Sequence, residues 1–321
     1  MKKILFLSAA LTAMVMTSCS NDEIIENGSS RENPVISFTS APQNAMTRSV
    51  VTSLNSFCVN AITSDRNAYV TNEEFTLSGG KFTSSSPYYW PTSKTLSFFA
   101  INESGNATFP ALASGDFSHE PVIRYDVDTD GDRDIVVATC LNASKQETVP
   151  LTFKHVLSRV GVKFTSVDSD NSLTYVVKSV KVPAYLKAYY SFYEGKSTGE
   201  WEYLSDYRGT EIDYCKGQSQ TFTGGSSWSC SDMYNIIPMQ GWHPIVTVEY
   251  QVLQNGQVVV DKTGENAAKV ALNVPSEGWA QGSCFNFVFY LSNSASDAPI
   301  QFTSSVTPWS QSGDDEYNLY N

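Results

Sequence analysis

The sequence predicts an all-β chain arranged as two tandem β-sandwich domains. Three observations carry that reading. Short runs alternate apolar and polar side chains, the two-residue repeat that turns one face of a strand toward a core. Clusters of Gly, Asn, Ser and Asp separate the runs, and Asn255-Gly256 lies between two of them as a strong hairpin signal. Sustained helical periodicity is nearly absent, and 321 residues are more than one sandwich needs.

The expected strands follow in chain order. Residues 35–38 (VISF) form a short strand ending in turn residues. Residues 54–62 (LNSFCVNAI) alternate, 96–101 (LSFFAI) are a compact apolar run, and 134–140 (DIVVATC) are β-branched and apolar. Residues 149–164 (VPLTFKHVLSRVGVKF) keep a period of two at both ends. Residues 173–182, 245–253, 257–261, 285–291 (FNFVFYL) and 300–306 (IQFTSSV) continue the pattern. The polar stretch ASKQE, ending at Glu147, reads as a linker. The domains are therefore expected at residues 34–147 and 148–321.

Composition narrows the function classes. Hydrophobic residues make up 41% of the chain, enough for a packed core. Acidic residues number 33 against 21 basic ones, a net charge of −12, which argues against a nucleic-acid partner. Three histidines leave little room for His-based catalysis or a His-rich metal site. Gly224-Gly225-Ser226-Ser227 is not a nucleophile elbow, and no phosphate loop or dinucleotide fingerprint is present. No enzyme, catalytic residue or cofactor is expected.

The N-terminus speaks to the compartment. Lys2 and Lys3 precede an apolar stretch over residues 4–16, then small Thr17 and Ser18, then Cys19. This is a signal peptide over residues 1–18, too short in its apolar part to span a bilayer comfortably. A cysteine in that place resembles the lipobox of bacterial lipoproteins, with Met16 where Leu is usual. The resemblance implies cleavage between Ser18 and Cys19 and acylation of Cys19, with several chains giving a firm anchor. Residues 19–33 read as a flexible tether. Asp22 and Glu23 resemble the acidic export signal of Bacteroides-type lipoproteins, which implies an outer-membrane, surface-exposed location.

Several constellations admit two readings. Asp126, Asp128, Asp130, Asp132 and Asp134 alternate around Gly131 like the start of a calcium loop. Position twelve of such a loop is Val137 rather than Glu, and the flanks read as strands, so an acidic hairpin tip fits better and no metal site is expected. Cys58, Cys140 and Cys284 lie in apolar runs as small hydrophobes. Cys215 and Cys230 flank a Gly/Ser-rich turn and could pair. His155 lies among apolar residues as a packed, hydrogen-bonded side chain, while His119 and His243 sit beside loop sequences. Tyr88, Tyr89 and Trp90 could stack on sugars or pack in the fold.

The order of local motifs resembles the fimbrillin family of Bacteroidia, the FimA/Mfa-like subunits of type V pili. It is carried by ISFTS at residues 36–40, SPYYWPTSKTLSFFAIN at 86–102 and DIVVAT at 134–139. It continues through VPLTFKHVLSRVGVKF, the Ile236-Ile237-Pro238-Met239-Gln240 turn, Trp279-Ala280-Gln281-Gly282 and the closing strand from Ile300 to Trp309. The resemblance implies transthyretin-like sandwiches that polymerise at the cell surface by strand exchange. In that scheme Val35, Ile36 and Phe38 belong to a removable N-terminal strand, cut between Arg48 and Ser49. Arg48 would equally serve as a solvated loop arginine, which would suit an anchor or accessory subunit. Ile300, Phe302 and Val306 share one face of the donor. The implied partners are other fimbrial subunits in a homo- or heteropolymer, the outer membrane through lipid on Cys19, and a host or bacterial surface receptor. A non-polymerising surface lipoprotein binding glycans or host proteins through exposed aromatics is the competing reading.

Overall fold

In the computed structural model the alternating runs pair into sheets. It describes residues 33–40, 54–102, 107, 122–129, 131, 133–193, 196, 198–204, 210–230, 233–239, 244–272, 279–293 and 300–308. Among these the elements are strands, apart from one 3-10 turn at Gly264–Asn266. The all-β expectation holds.

The first nine strands are β1 (Phe38–Ser40), β2 (Ser56–Thr63), β3 (Ala68–Ser78), β4 (Lys81–Ser84), β5 (Leu96–Ile101), β6 (Val122–Asp128), β7 (Val136–Ala143), β8 (Val149–Leu151) and β9 (Lys154–His155). Eight of them form one sheet in the order β8-β1-β4-β3-β2-β5-β7-β9. The first and last strands of that order are separated in sequence only by Thr152 and Phe153. One short segment therefore pairs with β1 at one end and with β7 at the other, bringing the sheet round on itself. Ile36, Phe38, Phe57, Phe75, Phe82, Trp90, Phe98, Leu151 and Phe153 fill the enclosed space.

The remaining strands are β10 (Ser158–Ser166), β11 (Leu173–Ala184), β12 (Lys187–Tyr193), β13 (Glu200–Tyr203), β14 (Thr210–Asp213), β15 (Gln220–Thr223), β16 (Ser227–Ser229), β17 (Tyr234–Ile236), β18 (Ile245–Gln254), β19 (Gln257–Lys262), β20 (Ala268–Ala271), β21 (Ser283–Leu291) and β22 (Gln301–Pro308). One sheet runs β16-β10-β21-β22 with β17 also on β10, and another runs β14-β11-β18-β19 with β15 on β11 and β20 on β18. β13-β12-β6 make a third. Asn255 and Gly256 both have positive φ, at 51° and 77°, and join β18 to β19 as the sequence predicts.

Strand pairing crosses residue 147. β8 and β9 pair back to β1 and β7, and β6 pairs forward to β12. Residues from Asn33 onward make up one compact unit. The run 149–164 is divided, with β8 and β9 in the first sheet and β10 in the next.

The pivot between the two cores is the wall β2-β5-β7. Phe57, Val59 and Ala61 of β2 point into the first core, while Cys58 and Ile62 point into the second. β5 divides in the same way, with Leu96, Phe98 and Ala100 on one face and Phe99 and Ile101 on the other. A strand with both faces covered reads as a continuous apolar run, which is why LSFFAI shows no alternation. Across the second face Phe99 packs on Phe192 of β12, ring centroids 5.5 Å apart.

Among the polar residues buried in this wall, Asn60 is fully buried. Its side-chain amide donates to the Tyr125 hydroxyl oxygen, and its carbonyl oxygen accepts the Asn72 N–H at 2.8 Å. Burial of both groups demands that these partners be present. Asn60→Leu is expected to cost about 2–4 kcal/mol, since it strands two partners. A shift of the urea midpoint at unchanged slope would register the loss.

Candidate functional site

Residues 34–40 are the part of the fold from which a function can be built. On one edge, the Ile36 N–H donates to the Tyr88 carbonyl at 2.7 Å and the Trp90 N–H donates to the Pro34 carbonyl at 3.1 Å. Val35 bridges Tyr89, and Phe38 pairs with Phe82 of β4. On the other edge, Phe38, Thr39 and Ser40 run parallel to Val149, Pro150 and Leu151. The Val149 N–H donates to the Ser37 carbonyl at 2.8 Å. The segment is thus a plug seated in a slot, with backbone partners on both sides.

The plug's side chains explain why it stays there. Ile36 and Phe38 are completely buried. The Phe38 ring meets Phe75, Phe98 and Phe57 edge-on at 4.8, 5.1 and 5.8 Å. Such T-shaped contacts add to the gain from burying the ring area. Val35 points outward and is exposed, as the alternation requires. Ser37 donates through its hydroxyl to the Glu147 carbonyl at 3.1 Å.

The C-terminal segment is held more lightly. β22 is the last strand in its sheet and, among the described residues, pairs there with β21 alone. Ile300 and Phe302 pack against the second core but are only partly buried, with Phe302 at 6.1 Å from Phe289. Val306 lies opposite Phe285 in the register, and its side chain is outside the described residues. Plug and C-terminal strand therefore belong to different sheets.

Other residues singled out from the sequence take structural places. Asp126 faces Lys187 Nζ at 3.9 Å and Asp134 faces His155 Nδ1 at 2.9 Å. Gly131 is buried at φ +91°, and a Cβ there would come within 2.6 Å of Tyr234 Cδ1. Its carbonyl accepts the Asn235 N–H at 2.6 Å. The middle of this loop is therefore packed against β17 rather than exposed as a hairpin tip. Among the described residues no group of three or more His, Cys, Asp or Glu is placed to hold a metal. Asp130 and Asp132 lie outside them.

His155 is buried and hydrogen-bonded to Asp134, a packing role. Trp90 is buried and stacks edge-on to Phe98 at 5.8 Å, while Tyr89 is exposed. Ser18, Cys19, Arg48, Ser49, His119 and His243 lie outside the described residues. The slot-lining rings of Phe75 and Phe82 were not picked out from the sequence. The available signal was Gly79-Gly80, both at positive φ, which turns β3 back into β4.

Cys215 and Cys230 stand as thiols, with the Cys230 sulfur 3.5 Å from the Tyr214 carbonyl oxygen. Burial pushes the Cys215 thiol up to about 12, helped by the Asp213 carboxylate, and burial pushes Cys284 up to about 11. Both are therefore protonated at pH 8, and the thiolate is the reactive form. Iodoacetamide at pH 8 is expected to leave Cys215 unlabelled in the folded protein and to label it after urea unfolding, as read by peptide mass mapping.

Known proteins share this arrangement of strands. The model of a family described as fimbrillin-like matches residues 45–309. A fimbrial protein from Bacteroides vulgatus has a similar structure, with a TM-score of 0.51 at 15% identity, covering 79% of this chain and 93% of that one. A candidate cell adhesion protein from Parabacteroides distasonis gives 0.52 at 11% identity, covering 87% and 98%. At such identities the likeness is one of fold. Among curated proteins none matches the chain significantly.

Proposed function

Because the chain belongs to the fimbrillin-like family, whose members are non-enzymatic fimbrial proteins of the cell surface, we propose that it polymerises by strand exchange. The plug supports this reading more than any other feature. It is a single strand near the start of the described chain, paired on both edges, with Ile36 and Phe38 fully buried. Its removal would leave two kinds of unmet demand in one place. The Tyr88 carbonyl and the Val149 N–H would lose partners, and the rings of Phe57, Phe75 and Phe98 would face water. An extended segment from another subunit meets both demands at once.

The energetics favour exchange once the slot is open. Fully burying an Ile and a Phe contributes roughly 1.5–3 kcal/mol each relative to exposure. In its own sheet β22 has one paired edge and half-buried side chains, whereas the slot offers two edges and complete burial. Slot and donor are different surfaces, so the contact is head-to-tail and builds an open filament.

The release step is a cut between Arg48 and Ser49, beyond the end of the plug. We further read the precursor as a lipoprotein anchored through Cys19 after cleavage behind Ser18, delivered to the outer membrane, with neighbouring fimbrial subunits as partners. The sequence order of charged, apolar and small residues before Cys19 supports the lipid.

Limited digestion with a trypsin-like protease is expected to produce Ser49 as a new N-terminus and ladders that resist SDS without heating. Intact monomer after complete conversion to Ser49 would sink the reading. Phe302→Ser is expected to abolish the ladders while shifting monomer stability by only about 1–2 kcal/mol, because its ring is only partly buried in the monomer. Urea melts of undigested protein check the second half of that statement.

A further inference from the structure

The plug and the C-terminal strand carry nearly the same sequence. Residues 36–40 read ISFTS and residues 300–304 read IQFTS. Four of the five positions are identical, including both side chains that the slot buries completely. The one difference falls at Ser37, which donates a hydrogen bond to the Glu147 carbonyl; Gln301 also brings a donor there. A similar run, VKFTS, occurs at residues 162–166, but it lies in β10, which is paired on both edges inside its sheet. Of the three, only the plug and the outermost strand β22 can be exchanged for one another.

We infer that β22 is a register-matched copy of the plug, so that the slot's occupant is residues 300–304 of a second copy of this chain. This rests on the strand-exchange reading above and makes it specific. Ile300 takes the place of Ile36, Phe302 that of Phe38, and Thr303 that of Thr39. The incoming strand lies parallel to β8 and antiparallel to β4, as the plug does. A shift of one residue would turn Ile300 and Phe302 outward, and a shift of two would put Ser304 or Ile300 where three phenylalanine edges surround Phe38. The chain is therefore self-complementary, and a stalk can be built from this subunit alone.

Paired cysteines in the full chain read out the register. The plug sets Thr39 opposite Pro150. Thr303→Cys combined with Pro150→Cys is expected to give disulfide-linked ladders after limited protease digestion and mild oxidation with diamide. Gln301→Cys or Ser305→Cys combined with Pro150→Cys is expected to lose them. Peptide mass mapping separates these links from any made by the native cysteines. If Pro150→Cys fails to fold, Thr83→Cys with Gln301→Cys tests the same alignment on the β4 side, since Phe38 opposite Phe82 sets Ser37 opposite Thr83.

SDS-resistant ladders that cross-link through 301 or 305 to position 150 would overturn the register and leave strand exchange standing. Ladders that form only when a different fimbrial protein is added would overturn self-complementarity. Complete digestion without ladders in any variant or in the parent protein would remove the underlying reading, and this inference with it.

Discussion

The insertion of Phe38 among Phe57, Phe75 and Phe98 is the contact on which the first core depends. Its ring touches side chains from three strands, β2, β3 and β5. The backbone on either side of it also joins β4 to β8, which would otherwise be separate edges. Side-chain packing and ladder formation therefore converge on one short segment. Among the described strands it is the first in the chain, so it can leave its place without drawing another of them through the sheet.

The second core takes its shape from the same wall seen from behind. β2, β5 and β7 cover the plug with one face and receive Ile123, Tyr125 and Phe192 on the other side of the molecule's interior. Asn60 ties the wall to Tyr125, and the phenol loses its hydration in exchange for a hydrogen bond. Arg124 and Glu202, with nitrogen and oxygen 2.6 Å apart, lie on the outer face of the same small sheet. Both groups are partly solvated, so this pair adds little to stability. Apolar contact across the wall does most to hold the two cores together.

Much of the fold was legible because burial on one face leaves a period of two. The strands at 173–182, 245–253 and 285–291 stand out in this way, while 96–101, covered on both faces, stands out as an unbroken apolar run. The short strands did not. β4 has four residues and β13 to β16 no more than four each, too few for a period to show. β12, KAYYSFY, hides its pattern under aromatic residues on both faces. The crossing of the 147 region was invisible for another reason. A polar stretch reports exposure, and Glu147 is exposed, but local exposure says nothing about which sheet the next strand joins. At the candidate site the strand at Val35–Phe38 and the face shared by Ile300, Phe302 and Val306 could be named from alternation and resemblance, whereas the rings around Phe38 come together only through long-range pairing. The middle of the Asp126–Asp134 loop was read as a tip because its charges were visible and the tyrosine packed on its glycine was not.

Hydrogen bonding on both sides of the plug has a mechanical meaning. A pull directed along a strand held by two ladders loads all of its bonds together, in shear, and none can fail alone. β22, with one ladder, can instead be peeled from its end, bond after bond. The same five-residue pattern is thus weakly retained at the sheet's margin and more firmly retained in the slot, so a fibre joined through it would meet a lengthwise pull with a whole ladder of bonds at each joint rather than with one bond at a time.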